Sequence, residues 1–420
     1  MWGTIVRLFV GYDDFGSVVE KQLDFVDKSL FIQAILSDPN QVIQIIRPHR
    51  FGKSFNLSML QYFFAPEVLR ASTKNLFDGL EITKIPEAMA HQGQHPVIFI
   101  SLKDLNQSNY ASFYINFVYF IKELYQEHRF VLNSPHLNDY EKDDFKKIML
   151  GTADEIDYKK SLKFLTLCLH THYGKKPFLL IDEYDAPLQS AYLHGYYEQA
   201  LDFVRGFLSP VLKSNLHLEK AVLTGILCIA KENLYTELNN IQMYSVFSKD
   251  YCSYFGFTAP EIKTLFEKSG LSNRLDDAKH WYNGYQIDGV ELYNPWSIVH
   301  CIKNQGQCQP YWSNTSENDL VKKLLLESSV NFKHDFEHLL AGHTFDIPLT
   351  DAFAFSELNN NETIIWSFLL MTGYLKAVSA QLTDDGLFLC TLQMPNLEVR
   401  NVYSCFIKEW LSPSDGTHPQ

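Results

Sequence analysis

The sequence has no apolar run long enough to cross a lipid bilayer. The longest one lies around residues 364–375, well short of the roughly 20 residues that a membrane-spanning helix needs. A buried helix is therefore expected there. No signal peptide is recognisable either, because the short apolar stretch at the N-terminus soon meets Asp13 and Asp14. We expect a protein that does not act in a membrane.

Cysteine is scarce and follows no pattern. The seven cysteines are scattered and odd in number, and the sequence contains no Cys-x-x-Cys pair. This argues against a zinc site or a disulfide framework and is typical of reduced thiols in a cytoplasmic protein. His170 and His172 could ligate a metal, but a surface or helix-end position is the favoured interpretation.

Basic residues are fewer than acidic ones, with 36 lysines and arginines against 49 aspartates and glutamates and a formal net charge of −13. Proteins that bind nucleic-acid backbones usually carry the opposite sign, so nucleic acid is not expected as a partner of this chain. Hydrophobic residues make up 46% of the sequence, as in an ordinary globular protein with a sizeable core. The 420 residues are enough for two domains or one large one.

One short segment carries the strongest functional signal. An apolar run at residues 42–46 is followed by residues 47–54, which end in Gly-Lys-Ser, and a second apolar run begins at Phe55. A strand, a tight turn and a helix in this order hold nucleotide phosphates, because backbone N–H groups and the helix N-terminus converge on the anion. The nucleotide-binding residues predicted on this basis are Arg47, Arg50, Phe51, Gly52, Lys53 and Ser54.

The predicted roles differ along this loop. Lys53 would neutralise the terminal phosphates during catalysis, and the Ser54 hydroxyl would ligate Mg²⁺. The match to the phosphate-binding motif is imperfect, since Arg47 occupies the position of the usual first glycine. If the segment stood alone, a loop that merely begins a helix would be the alternative.

A second motif lies far along the chain. Residues 177–181 form an apolar run that ends at Asp182 and Glu183, and buried parallel strands have this composition. Asp182 could hold Mg²⁺, directly or through water, and Glu183 could orient and deprotonate the attacking water. Ligands of open α/β sheets bind at the carboxyl ends of strands. We therefore expect the loop and the acidic pair to meet across neighbouring strand tips.

A further strand is predicted at residues 220–225, with Thr224 near its end on the same edge of the sheet. The Thr224 hydroxyl would lie near the γ-phosphate and contribute to catalysis, or it would cap the helix that follows. The sequence leaves both interpretations open.

The alternation of strands and helices predicts an α/β fold, with a P-loop NTPase parallel sheet and helices on both faces, over residues 1–255. Residues from about 108 to 172 are typical of a helical insertion in this domain. Over residues 256–411 the pattern changes to a mainly helical region with aromatic turns, which would act as a lid or a partner surface. The tail, residues 412–420, is expected to be disordered.

Segments spread in order over nearly the whole chain point to a known family. They are residues 25–29, 47–54, 76–80, 181–185, 223–226, 238–240, 254–258, 281–285, 293–296, 311–316 and 395–400. In these segments the sequence resembles the bacterial AAA-ATPase-like proteins, a branch of the P-loop ATPases that usually carry a PD-(D/E)XK nuclease-like domain behind the ATPase. The resemblance implies ATP binding through Lys53 and Ser54, with Asp182 and Glu183 as the acidic pair. Members of the family also have arginine at the position of Arg47.

The sequence departs from the family pattern in three ways. His49 stands where the family usually has arginine, and Cys228 stands where it often has arginine. Loss of an arginine that stabilises phosphate charge would lower the hydrolysis rate strongly, although Lys231 or Arg205 could compensate. The third departure is that the chain stops soon after Arg400, where the nuclease-like domain would usually begin. No Asp followed by Glu-x-Lys is found, so no nuclease activity is expected.

The leading hypothesis is Mg²⁺-dependent binding and hydrolysis of ATP, coupled to a conformational change or a partner interaction. The alternative is a nucleotide-gated switch with little or no turnover, which His49 and Cys228 motivate. A GTPase has no support because the sequence lacks Asn-Lys-x-Asp, whereas a small-molecule kinase would use the same phosphate loop. Related ATPases often need an arginine from a neighbouring subunit, so a homo-oligomer or a protein partner is a further hypothesis.

Overall fold

The computed structural model describes residues 7–69, 71–226, 240–312, 318–359 and 361–411. Up to residue 244 its helices and strands are, in chain order, α1 (Phe15–Glu20), α2 (Leu30–Ser37), β1 (Val42–Ile46), α3 (Lys53–Phe64), β2 (Glu67–Val68), β3 (Ala71–Ser72), α4 (Pro86–Met89), β4 (Val97–Ser101), α5 (Tyr110–Glu127), α6 (Asp139–Leu150), α7 (Glu155–Tyr173), β5 (Phe178–Asp182), α8 (Ala186–His194), α9 (Tyr197–Leu212), β6 (Lys220–Gly225) and β7 (Ile241–Tyr244).

The rest of the described chain continues with smaller sheets and further helices. These elements are β8 (Phe257–Thr258), α10 (Ala259–Lys268), α11 (Leu275–Tyr282), β9 (Tyr285–Ile287), β10 (Val290–Tyr293), α12 (Pro295–Lys303), α13 (Asn318–Glu327), α14 (Val330–Leu340), β11 (Phe345–Leu349), α15 (Glu362–Met371), β12 (Lys376–Leu382), β13 (Phe388–Gln393) and α16 (Leu397–Leu411).

The central sheet contains five parallel strands in the order β4-β5-β6-β1-β7. Every residue of β1 and of β5 is buried, so both faces of the sheet are covered. Parallel strands of this kind read as continuous apolar runs because neither face meets water. The α/β parallel sheet predicted from the sequence is therefore confirmed.

The predicted insertion between β4 and β5 consists of the helices α5, α6 and α7. Each begins at a side chain that accepts a backbone N–H of the first turn, namely Asn109, Asn138 and Asp154. Such caps satisfy donors that have no partner within the helix. The three helices pack against one another, and α5 and α7 also pack against α9.

The region after residue 256 is mainly helical, as predicted, but it also contains two antiparallel sheets, with the orders β8-β10-β9 and β11-β13-β12. These strands were not predicted from the sequence. The main hydrophobic core is continuous from Phe51 in the phosphate loop to Tyr285 and Trp312 in this region. A smaller cluster joins α10, α11 and α12. A domain boundary near residue 255 stays a prediction.

Among the residues described, no helix is both long and apolar enough to cross a membrane.

Candidate functional site

The loop between β1 and α3 has the geometry of an anion-binding turn. Gly52 precedes the first residue of α3 and has a φ of +83°, a left-handed conformation. A Cβ at Gly52 would meet no atom within 4 Å, so backbone conformation rather than space favours glycine there. Arg50 is also left-handed, with a φ of +65°. The first N–H groups of the twelve-residue helix α3 have no acceptor within the helix and can bind an anion at its N-terminus.

Lys53 lies at the start of α3 and is buried. Its Nζ donates hydrogen bonds to the carbonyl oxygens of Arg47 at 3.1 Å and Pro48 at 3.0 Å. The ammonium therefore ties the two ends of the loop together. An ammonium has three donors, so the third is available to an anion in the loop.

Asp182, at the end of β5, accepts two hydroxyl hydrogen bonds. Ser54 Oγ donates to its Oδ2 at 2.5 Å, and Thr224 Oγ1 donates to its Oδ1 at 2.7 Å. The carboxylate is only 1% exposed, and buried charged groups need such partners. The structure thus brings three predicted site residues together. The Thr224 hydroxyl is bonded to Asp182, an arrangement that neither of the two sequence interpretations included.

The strands that carry the loop and the acidic pair are not neighbours, contrary to the sequence expectation. β6 lies between β1 and β5 and pairs with both. In the register, Asp182 is opposite Thr224, while Ile45 of β1 is opposite Thr224 on the other side. Ser54 still reaches Asp182 because the turn and the first residues of α3 extend over the tip of β6.

Glu183 follows Asp182 in an unusual backbone conformation. Its φ is +49°, which few non-glycine residues adopt and which costs on the order of 1 kcal/mol. Such residues concentrate at functional sites, where the surrounding structure holds them in place. Glu183 lines the same cavity as Lys53 and Ser54.

That cavity has a volume of about 400 Å³, within the range of small-molecule sites. Arg50, Gly52, Lys53 and Ser54 line one side of it, and His49 lies at the same side. The Phe51 side chain is 1% exposed and packs edge-on against Tyr285 with ring centroids 5.1 Å apart. The backbone of Phe51 is therefore the part best placed to face a ligand.

Other parts of the cavity wall were not predicted from the sequence. They are residues 8–13, residues 24–26, Lys28, Phe55, Asn56, Lys103, Tyr254, Gly256, Phe257, Pro295, Trp296 and Val299. The N-terminal segment reaches the cavity through a parallel bridge between Leu8 and Asp24, and no local pattern marks such a bridge. Trp296 lies in the Tyr-Asn-Pro-Trp segment, which the family resemblance singled out without giving it a role.

Arg47 is placed differently from the other predicted binding residues. Its guanidinium is fully buried and donates to the carbonyl oxygens of Ile46 at 2.7 Å, Tyr244 at 3.0 Å, Ser245 at 2.8 Å and Asp250 at 3.2 Å. Burial lowers the pKa of Arg47 to about 10, so it remains a cation at neutral pH. Its side chain does not line the cavity. Arg47 fastens the phosphate loop to β7 and the segment after it.

Replacing Arg47 by methionine should destabilise the fold, because the carbonyl oxygens that its guanidinium satisfies would be left in a buried space. We expect a loss of about 3 kcal/mol in the free energy of unfolding, measured by urea denaturation. The control is Arg129→Met at an exposed position, where a change within about 0.5 kcal/mol is expected. Unchanged stability together with lost ATP binding would instead place the guanidinium on the nucleotide.

Of Arg205 and Lys231, the two cations that could compensate for the missing family arginine, the structure describes Arg205. Cys228 and Lys231 lie outside the described residues, and so does the tail of residues 412–420. Arg205 lies on α9 and is not part of the cavity wall.

Within the described residues no group of three or more histidine, cysteine, aspartate or glutamate side chains could hold a metal. A divalent ion at Ser54 and Asp182 would need oxygens from phosphate and water, which is how Mg²⁺ is usually bound.

Comparison with known proteins supports the interpretation of the first half of the chain. Residues 9–235 match the profile of a family described as "Predicted AAA-ATPase". This range includes the phosphate loop, the acidic pair and Thr224. An uncharacterized protein in the vnfD 5′ region of Azotobacter chroococcum mcd 1 is 25% identical over 399 residues, which is 94% of this chain and 68% of that protein.

Proposed function

This chain belongs to the AAA-ATPase-like family, and on that premise we propose that the cavity at the tips of β1, β6 and β5 binds ATP with Mg²⁺ and hydrolyses it. The observation that carries the proposal is the contact of Ser54 and Thr224 with the Asp182 carboxylate, beside the Gly52–Lys53 turn. A lysine, a hydroxyl and a carboxylate at one sheet edge are the groups that a metal-bound triphosphate requires.

Each residue has a defined task in this proposal. The N–H groups at the start of α3 and the ammonium of Lys53 bind the β- and γ-phosphates. Ser54 and Asp182 would hold Mg²⁺, which when bound neutralises phosphate charge. Thr224 fixes the Asp182 carboxylate through the 2.7 Å hydrogen bond. Glu183 orients a water molecule and accepts its proton as the water oxygen bonds to the γ-phosphorus, while the bond from that phosphorus to the bridging oxygen breaks and ADP leaves.

A nucleotide-gated switch is the second candidate, and the position of His49 favours it. His49 lies in the cavity wall, so the residue that departs from the family arginine is part of the site itself. A histidine is positively charged only when it is protonated, whereas an arginine would add a fixed charge beside the phosphates. Binding would then persist while turnover is slow.

Equilibrium titration with ATP, with and without Mg²⁺, tests the proposed site. Removal of Mg²⁺ with EDTA should weaken ATP binding to the unmodified protein by about tenfold or more, since a charge-assisted contact is lost. Asp182→Asn should bind ATP weakly both with and without Mg²⁺. Asp143→Asn, on the exposed face of α6, should behave like the unmodified protein. Equal Mg²⁺ dependence in the Asp182 variant would contradict the proposed metal ligand.

A further inference from the structure

Four sequence segments that phosphate binding does not explain come together in the structure. They are residues 281–285, 293–296, 311–312 and 395–400. At Gly284 an added Cβ would lie 1.7 Å from the carbonyl oxygen of Pro395, so only glycine permits this approach. Asn396 Nδ2 donates to the carbonyl oxygen of Tyr282 at 3.3 Å. The segment that follows α11 is therefore in direct contact with the segment that precedes α16. We call the region where the four segments meet the junction.

Glu398 is the central residue of this junction. It is 1% exposed, and its carboxylate accepts from Ser297 Oγ at 2.7 Å, Tyr311 N at 2.9 Å and Trp312 N at 3.2 Å. Burial raises the pKa of Glu398 to about 7, although these donors and the charge of Arg50 oppose the shift. One buried carboxyl group thus joins α16, α12 and the segment that follows α12.

Trp296 is held by this junction in a fixed orientation. Its indole Nε1 donates to the carbonyl oxygen of Tyr311 at 3.3 Å, and its ring lies against His300 with centroids 4.5 Å apart. The backbone N–H of Tyr311 is in turn bound by Glu398. Because the N–H of Tyr311 is held by Glu398 while its carbonyl oxygen accepts from the indole, the indole plane has little freedom to turn.

The indole carries the guanidinium of Arg50 on its face. The Arg50 Cζ atom is 4.2 Å from the centre of the Trp296 ring system, within the range of a cation–π contact. Both residues line the cavity next to Lys53 and Ser54. Trp296, which belongs to the region after residue 256, therefore contacts Arg50, a residue that is predicted to bind the nucleotide.

We propose that Trp296 is a positioning residue of the nucleotide site. Fixed by Tyr311 and Glu398, it holds the Arg50 guanidinium in the cavity wall, where Arg50 binds the terminal phosphates of ATP. This inference depends on the proposed function. It assigns Arg50 a contact with the β- or γ-phosphate and gives the region after residue 256 a direct part in ATP affinity. Because Arg50 is left-handed, its side chain leaves the loop in a direction that a helical or extended residue would not give.

A double-mutant cycle with Arg50→Ala and Trp296→Ala tests this inference. ATP affinity should fall about tenfold in the Arg50 variant, the effect of one charge-assisted contact. The Trp296 variant should lose about fivefold, the effect of a partly desolvated cation–π contact. If Trp296 acts through Arg50, the double variant should bind ATP no more weakly than Arg50→Ala alone. AMP lacks the terminal phosphates. If the variants lose only the contact of Arg50 with these phosphates, the affinities of the unmodified protein and the three variants for AMP should agree within about twofold.

Two further variants separate this effect from unfolding. Trp296→Phe keeps an aromatic face and should retain most of the ATP affinity, and it stays informative if the alanine variant does not fold. Trp366→Phe, on α15, outside the four segments and outside the cavity wall, should leave ATP affinity unchanged. Losses that multiply in the double variant, or an equal loss of AMP binding, would overturn the inference. Failure of the proposed function itself would appear differently, as ATP binding that survives the loss of Lys53.

Discussion

Lys53→Ala should reduce ATP binding below detection in a direct titration with Mg²⁺ present. Lys53 is the cation that closes the phosphate loop, with its Nζ bonded to the carbonyl oxygens of Arg47 and Pro48. The variant loses the charge that would face the phosphates and the two bonds that hold the loop in shape. Each charge-assisted bond contributes about 1.5–3 kcal/mol, so the combined loss amounts to about a hundredfold or more in affinity.

The Lys53 experiment needs a control for the loss of a lysine. Lys84→Ala removes an exposed ammonium that pairs with Glu81 on the surface, and ATP affinity should not change. Thermal unfolding of both variants shows whether the fold survives, and Lys53→Met retains the apolar stem if the alanine variant does not fold. Unchanged ATP affinity in a folded Lys53 variant would exclude this loop as the binding site.

The parts of the fold that were predictable are those with a local signature. β1, β5 and β6 were located from apolar runs, because strands buried on both faces cannot contain exposed polar positions. The start of α3 was located from the Gly-Lys-Ser turn. By contrast β9 has three residues and β10 has four, which is too short for a period to become visible.

The placement of Arg47 and the order of the strands could not be predicted from the sequence, because both depend on contacts between residues that are far apart in the chain. The guanidinium of Arg47 is bound by carbonyl groups about 200 positions later, so its neighbours in sequence gave no sign that it points away from the cavity. The position of β6 between β1 and β5 likewise follows from sheet order. Composition and spacing specify which residues end strands, but the order of strands depends on how the helices pack.

Glu183→Gln should leave ATP affinity within about twofold and lower phosphate release by on the order of a hundredfold or more, the usual contribution of a general base. The amide has the same shape as the carboxylate and fits the left-handed conformation at this position as well as glutamate does. It cannot accept a proton from water. Phosphate release in single-turnover conditions, measured beside ATP affinity, separates the chemical step from binding. Glu87→Gln, at an exposed position on α4, is the matched control.

The comparison of the Glu183 and Lys53 variants also decides between an ATPase and a switch. If the unmodified protein releases phosphate faster than both variants, Glu183 takes part in hydrolysis and the cavity is catalytic. If it binds ATP but releases phosphate no faster than the Lys53 variant, the switch is favoured, and His49 in the cavity wall is the residue to change first. His49→Arg would then restore the fixed charge that the family usually has there. If this variant releases phosphate faster, and if the gain is lost when Glu183 is also changed to glutamine, the other catalytic residues are intact and the site lacked charge stabilisation.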